Sequence, residues 1–317
     1  MFSKLNFCPL LSLLHSKYGT VELWTQLFCL SPKLFGNWTT YTKKYCNPRC
    51  LRYGPKLVWD YSGSSNVEEL HAKLKNVMVR RLKCDVLQEL PPKQRTIVPV
   101  TISAKEKASC QKVMLELKEK KSNLKDFFGE IAAEKASWEA KSALMQAYQA
   151  TGRGKAKAVA DYVLDWLSGS SEKILVFFHH QAVVDVVDEA LLSKCPNSHI
   201  RIDGKVPTDV RAQLVTKFQT CSRVRVALLS MTAAGVGLTL TAASTILFAE
   251  LHWTPGVMAQ AEDRAHRIGQ SADRVQILYC ICRDGSCSID NALWSLLGKK
   301  IGTLGQIVDG KAVSQGR

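Results

Sequence analysis

No run of 18 apolar residues occurs in this 317-residue chain, so no segment reads as a membrane-spanning helix. The apolar opening Leu5–Leu14 is broken by Asn6 and Pro9 and lacks a small-residue cleavage site, which argues against a secretory leader. Paired Cys-x-x-Cys half-sites are also missing. The 11 cysteines are an odd number; Cys46 and Cys50 lie four apart, and Cys280, Cys282 and Cys287 cluster with no second half-site. The pattern argues against a zinc site and for reduced, mostly buried thiols, as inside a cell. No internal repeat is visible. Acidic residues are scarce, 28 against 43 Lys and Arg, for a net charge of +15. Such a surplus suits a nucleic-acid partner, although a merely basic surface has the same composition. With 46% hydrophobic and 22% charged residues, the chain is ordinary globular material for one large or two modest domains.

The texture changes along the chain. Residues 1–100 are irregular, aromatic and basic, with turn signals at Ser31-Pro32, Asn47-Pro48, Gly54-Pro55 and Ser62–Ser65. Asn66 before Val67-Glu68-Glu69 predicts a capped helix carrying Leu70, Leu74, Val77 and Met78, stopped by Pro91-Pro92. Residues 101–152 read as helical, with a capping-box pattern at Ser103 and Glu106 and a break at Thr151-Gly152-Arg153-Gly154. From 153 to 302 the period alternates. Strand-like runs at Ile174–Phe178, His199–Ile202, Val224–Leu229, Thr245–Ala249 and Val275–Ile281 are separated by helix-like runs at Lys157–Leu167, Ala182–Leu192, Asp209–Phe218 and Val257–Arg267. Strands without alternation, each joined by a helix, predict an α/β fold with a parallel sheet covered on both faces. Ile289–Ile301 reads as a final helix, and 303–317 as a loose tail.

The segment Gln260–Gln270 is the most informative. On a helix, Gln260, Arg264 and Arg267 share one face at i, i+4 and i+7. Two guanidiniums one turn apart repel each other unless an anion joins them, and their planar forks match phosphate oxygens. The same spacing also permits local pairs, Asp263 with Arg267 and Glu262 with His266, which would make an ordinary solvated face. Ligands of open parallel sheets gather at the carboxyl ends of strands. Three segments follow such ends: His179-His180, Asp203-Gly204-Lys205 and Ser230–Thr239, where Gly235 and Gly237 allow close backbone approach to a ligand. A dinucleotide fingerprint fails because Leu240 stands where a third glycine is needed.

Together these segments resemble the second RecA-like lobe of Swi/Snf-type helicase-related ATPases. Ser230–Thr241 is similar to motif V, Gln260–Gln270 to motif VI, Ile174–His180 to motif IV, and Glu250–Pro255 to a Glu-x-x-Trp-x-Pro element. The double histidine and Arg201-Ile202-Asp203-Gly204 resemble the annealing-helicase, fork-remodelling branch. Val79–Lys83 and Leu90–Lys93 resemble the linker between lobes, and Glu22–Gln26, Ser31–Trp38 and Tyr45-Cys46 the end of the first lobe.

The resemblance implies roles. Arg264 and Arg267 would be arginine fingers, with Gln260, Asp263, Gly235 and Gly237 at the nucleotide. Arg80, Arg81, Lys83, His180, Lys205, Arg211, Ser230 and Thr232 would contact DNA phosphates, without sequence preference. ATP and Mg²⁺ would belong to the intact two-lobe enzyme, located in the nucleus. No metal site is expected in this chain itself. The phosphate cradle Gly-x-x-x-x-Gly-Lys-Ser/Thr is nowhere in the 317 residues: Gly154-Lys155 is followed by Ala156, and Asp188-Glu189 continues into Ala190-Leu191 rather than Asp-Glu-x-His. The expectation is a C-terminal motor lobe, inactive as an ATPase by itself, with a remnant of the first lobe and the inter-lobe linker in 1–100; residues 1–60 should leave apolar surface uncovered and be poorly packed or need a partner. The alternative is a non-enzymatic nucleic-acid-binding or interaction module.

Overall fold

A computed structural model describes residues 20–53, 56–61, 63–77, 87, 89–120, 138–231, 237–286 and 288–298. The chain divides into two compact units. In the first, α1 (Thr20–Leu30), α2 (Pro32–Phe35), α3 (Trp38–Tyr45) and α4 (Val67–Lys75) flank an antiparallel hairpin of β1 (Arg49–Tyr53) and β2 (Lys56–Asp60). Pairs at i, i+4 (Leu23 and Leu27, Tyr41 and Tyr45, Leu70 and Leu74) place one stripe of each helix in a small core with Phe35 and Cys46. Asn37 caps α3, its Oδ1 accepting from the Thr40 amide at 2.9 Å. Asn66 occupies the cap position of α4 but does not cap it. Its backbone is left-handed (φ 48°), and its side-chain amide donates to the Lys44 carbonyl at 2.8 Å.

The second unit is a six-stranded, fully parallel sheet in the order β3-β8-β7-β4-β6-β5. Its strands are β3 (Lys93–Pro99), β4 (Lys173–Phe178), β5 (His199–Ile202), β6 (Val226–Ser230), β7 (Ala243–Phe248) and β8 (Val275–Ile281). The helices are α5 (Ala104–Lys120), α6 (Trp138–Gly169), α7 (Gln181–Lys194), α8 (Thr208–Thr220) and α9 (Pro255–Glu262), and a last helix starts at residue 290. Alternate strand positions face opposite ways. Ile174, Val176 and Phe178 join Val226, Leu228, Leu247 and Cys280 in a core with Val159 and Val163 of α6 and Val183 and Val187 of α7. On the other face Phe177 stacks on Phe248, and Phe248 on Tyr279. Both faces are covered, which explains the continuous apolar strands.

Three expectations are corrected. Residues 93–99, assigned to the first region and an inter-lobe linker, form an edge strand of the sheet, paired with β8 from Lys93↔Val275 to Pro99↔Ile281. Helix α4 ends at Lys75, and residues 78–86 lie outside the description; the Pro92 carbonyl accepts from the Val275 amide at 3.0 Å and leads the strand in. Secondly, Gly152 and Gly154 lie inside the continuous helix α6, not in a break. Their role is close approach: a Cβ on Gly152 would overlap Glu250 Oε1, and one on Gly154 would stand 2.9 Å from Ile102 Cγ2. Thirdly, the helix expected over Val257–Arg267 ends at Glu262. Bonds from the Arg264 amide to the Ala261 carbonyl (3.2 Å) and from the Arg267 amide to the Ala265 carbonyl (2.9 Å) tighten the backbone into turns, and Gly269 closes them at φ 96°. Among the described residues no helix is long and apolar enough to cross a membrane.

Candidate functional site

The turn after α9 lies at the amino ends of β3, β7 and β8. The Arg264 carbonyl accepts from the Leu240 amide at 2.9 Å, and Gln270 Nε2 donates to the Ala243 carbonyl at 2.8 Å. Arg267 is exposed, and its Nη1 meets Thr239 Oγ1 at 3.3 Å. The segments similar to motifs V and VI are therefore stitched together by one side-chain and one backbone bond. Burial, then the charge of Arg267, pulls the pKa of Arg264 down, with Asp263 opposing. The two guanidiniums thus sense each other, although they stand on a turn and not on one helical face.

The local pairs that would have made this an ordinary solvated face give way to partners on the edge strand. Glu262, buried, takes Lys93 Nζ at 2.9 Å and Arg95 Nη2 at 2.7 Å on Oε2, and accepts the Tyr279 hydroxyl on Oε1 at 2.9 Å. Asp263 lies 3.3 Å from Lys93, and His266 Nε2 lies 2.9 Å from the Pro91 carbonyl. Lys93 and Arg95 were missed by the sequence reading. The available signal was their i, i+2 spacing, which puts both on one strand face. Because β3 supplies cations to both acids, the carboxylates next to the arginine pair are already engaged. Gln260 is half-buried on α9, and Gly237 is exposed, where an added Cβ would meet nothing within 4 Å.

The carboxyl ends of the strands are built differently. Glu250, 1% exposed at the end of β7, accepts the His179 and His180 amides on Oε2, both at 2.8 Å, and faces His180 Nδ1 from Oε1 at 2.6 Å. Burial raises its pKa, but the hydrogen bonds from His180 and the two amides outweigh that, and the net shift is downward. Tyr148 of α6 donates to the Leu251 carbonyl and packs edge-on against Trp253, ring centres 4.7 Å apart. Trp253 therefore packs the loop after β7. Arg211 spends Nη2 on the Asp203 (3.3 Å) and Val206 (2.9 Å) carbonyls. Lys205 is exposed, and Ser230 is buried at the end of β6. Arg80, Arg81, Lys83, Thr232 and Gly235 lie outside the described residues. Lys155, the tempting phosphate-cradle lysine, is 1% exposed inside α6. It is paired with Asp290 at 2.7 Å and donates to the Cys280 carbonyl at 2.9 Å.

The structure thus separates the candidates. Arg264, Arg267 and Asp263 gather at the amino edge, and His180, Lys205, Arg211 and Ser230 at the carboxyl edge. An exposed cation repelled by a second one suits an anionic polyphosphate. Among the described residues no group of three or more His, Cys, Asp or Glu side chains gathers for a metal ion, and the two acids beside the arginine pair already take Lys93 and Arg95.

Comparison with known proteins agrees with this architecture. Family profiles described as "SNF2-related domain" and "Helicase conserved C-terminal domain" match residues 17–152 and 154–269. The chain is similar to "DNA annealing helicase and endonuclease ZRANB3" of Bos taurus, 39% identical over 290 residues, covering 92% of this chain and 26% of that protein. It is also similar to "SWI/SNF-related matrix-associated actin-dependent regulator of chromatin subfamily A-like protein 1" of Xenopus tropicalis, 40% identical over 289 residues, covering 90% and 28%. It therefore spans about a quarter of the length of these relatives. Among solved structures, the "Sulfolobus solfataricus SWI2/SNF2 ATPase core in complex with dsDNA" aligns with a TM-score of 0.53 and 20% identity, covering 92% of this chain and 60% of that one, a likeness of fold. With its two adjoining domain matches and its six-stranded parallel sheet, the chain belongs to the SNF2-related, Swi/Snf-type family of helicase-like ATPases.

Proposed function

We propose that this chain supplies the second motor lobe of an ATP-driven DNA translocase or annealing helicase that acts in the nucleus in DNA repair and fork remodelling. The observation that carries the reading is the cationic turn. Arg267 is exposed and hydrogen-bonded to Thr239, Arg264 sits beside it, and the neighbouring carboxylates are engaged by Lys93 and Arg95. A nucleotide held by a first lobe would place polyphosphate oxygens against this pair, and ATP would supply the bond whose cleavage drives movement. Arginine fingers raise rates by on the order of 10³-fold or more, but only with a nucleotide opposite them. Since no Gly-x-x-x-x-Gly-Lys-Ser/Thr cradle is in the sequence, this chain does not turn over ATP by itself. Its contacts with DNA are to phosphates, and hence salt-dependent and indifferent to sequence.

The test is ATPase turnover of the purified chain with forked DNA, alone and mixed with a first lobe carrying the cradle. Turnover only in the mixture, lost in Arg267→Ala, supports the proposal. Turnover by the chain alone that Arg267→Ala abolishes overturns the claim of inactivity. Salt-sensitive DNA binding with no turnover even in the mixture favours a non-enzymatic binding module.

A further inference from the structure

The turn that carries Arg264 and Arg267 has no helical ladder to aim it. α9 ends at Glu262, and residues 263–270 belong to neither helix nor strand. A site on irregular backbone is only as well ordered as the side chains that fasten it. Three side chains at intervals of four fasten this one. Gln270 Nε2 donates to the Ala243 carbonyl at 2.8 Å and to the Ala265 carbonyl at 3.1 Å, and His266 Nε2 lies 2.9 Å from the Pro91 carbonyl.

The third anchor, Glu262, is a carboxylate only 3% exposed. Arg95 grips both of its oxygens, Nη2 on Oε2 at 2.7 Å and Nε on Oε1 at 3.3 Å. Lys93 Nζ adds a bond to Oε2 at 2.9 Å, and the Tyr279 hydroxyl donates to Oε1 at 2.9 Å. All three donors stand on the paired strands β3 and β8. The backbone continues the hold: the Glu262 carbonyl accepts the Ala265 amide at 3.3 Å and the His266 amide at 3.0 Å, so Arg264 lies inside the loop that closes on Glu262.

Electrostatics alone gives no reason for an acid here. A carboxylate two residues from Arg264 opposes any anion bound there. Burying it also costs free energy that ion pairs offset only in part. A neutral amide would avoid both costs. What the carboxylate adds is short, directional bonding to a guanidinium fork, which locks the first residue of the turn onto the sheet.

We propose that Glu262, gripped by Arg95 and Lys93, is a positioning residue that orients the turn so that Arg264 and Arg267 meet a polyphosphate together. The inference rests on the reading of that turn as the polyphosphate site.

The experiment is calorimetric titration of the purified chain with inorganic tripolyphosphate, for wild type, Glu262→Gln, Arg95→Gln and the double variant. A misplacement of about an ångström costs up to about 100-fold. Each single change should therefore weaken binding, by roughly 10- to 100-fold, and the double variant should be no weaker than the weaker single one. Net charge acting through space gives the opposite pattern: Glu262→Gln tightens, Arg95→Gln weakens, and the two cancel. That pattern, or wild-type affinity in Glu262→Gln, overturns the proposal. If Glu262→Gln lowers the thermal midpoint below the assay temperature, Arg95 decides, because its side chain is 53% exposed and its loss leaves the fold standing. Arg95→Lys keeps the charge and gives up the fork, so it should fall between wild type and Arg95→Gln; wild-type affinity there overturns the proposal. A wild-type chain that takes no tripolyphosphate, or takes it equally well as Arg267→Ala, overturns the site itself and this inference with it. Binding lost in Arg267→Ala but kept in the Glu262 and Arg95 variants overturns this inference alone.

Discussion

The two edges of the parallel sheet handle charge in opposite ways. At the carboxyl edge the described charges, the exposed Lys205 excepted, turn inward: Glu250 is capped by two amides and His180, Arg211 is spent on loop carbonyls, and Lys155 is sealed against Asp290. At the amino edge the acids Glu262 and Asp263 are taken up by Lys93 and Arg95, and the charge of Arg267, which meets Thr239, acts on Arg264. In open α/β sheets the carboxyl edge is the usual ligand side. Here its described charged groups act largely as fasteners, and the cationic surface that suits a polyphosphate lies at the other edge. A charge that is already well paired has little left to offer a ligand, whereas one held beside a like charge gains by meeting an anion.

The sharpest way to break this contrast is at Lys155. If the carboxyl edge is held by its buried ions, Lys155→Met should lower stability by about 3–5 kcal/mol, the usual consequence of stranding a buried partner. Adding Asp290→Leu should recover only part of this, because the Cys280 carbonyl and the Cys282 amide lose their partners as well. Urea unfolding reads both, and a loss under about 1 kcal/mol would place Lys155 among ordinary surface groups.

Gly152→Ala comes next. At an unconstrained helical site this change stabilises by about 0.4–1 kcal/mol. Here the new methyl meets a carboxylate pinned by three bonds, so destabilisation of about 1–3 kcal/mol is expected. A rise in the thermal midpoint would show that Glu250 moves freely.

The third contrast is pH. Burial, then His180, depresses the pKa of His179 below its ordinary value of 6.5, with Glu250 opposing; its ring also faces Tyr148 and His252. The folded state therefore binds the proton less readily than the unfolded chain. This contribution is whole above 6.5 and is lost as pH falls through the folded value. Glu250, also depressed, adds a second loss below its ordinary 4.5. Thermal midpoints should fall on acidification below 6.5, and His179→Gln should flatten the first part of that slope. An unchanged slope in the variant would assign the effect elsewhere.

The smallest effect on stability is expected at the amino edge. Arg267→Ala removes an exposed side chain with one long hydroxyl contact, so stability should change by no more than about 0.5 kcal/mol. Binding of inorganic tripolyphosphate, followed by calorimetry, should nonetheless weaken. Equal binding by the variant would remove Arg267 from the proposed site.

Much of the sheet was legible beforehand. His199–Ile202 and Val275–Ile281 are strands with the expected bounds, because buried parallel strands are continuously apolar and bounded by helical periodicity. β3 was not legible, since an edge strand reading Lys-Gln-Arg-Thr has no such run and follows two prolines that resemble a stop. The strands Arg49–Tyr53 and Lys56–Asp60 were not legible either, and the Gly54-Pro55 turn signal lies outside the described residues. Gly152 and Gly154 were misread because a glycine that admits a neighbour and one that breaks a helix look alike in sequence.

By itself the sequence determined the α/β class, the strand periods and the reserve of positive charge, since burial and charge follow from side-chain chemistry. Which cations stay available and which are consumed was decided by tertiary structure alone. Lys93 and Glu262 are 169 residues apart, and only the pairing of β3 with β8 brings them to 2.9 Å.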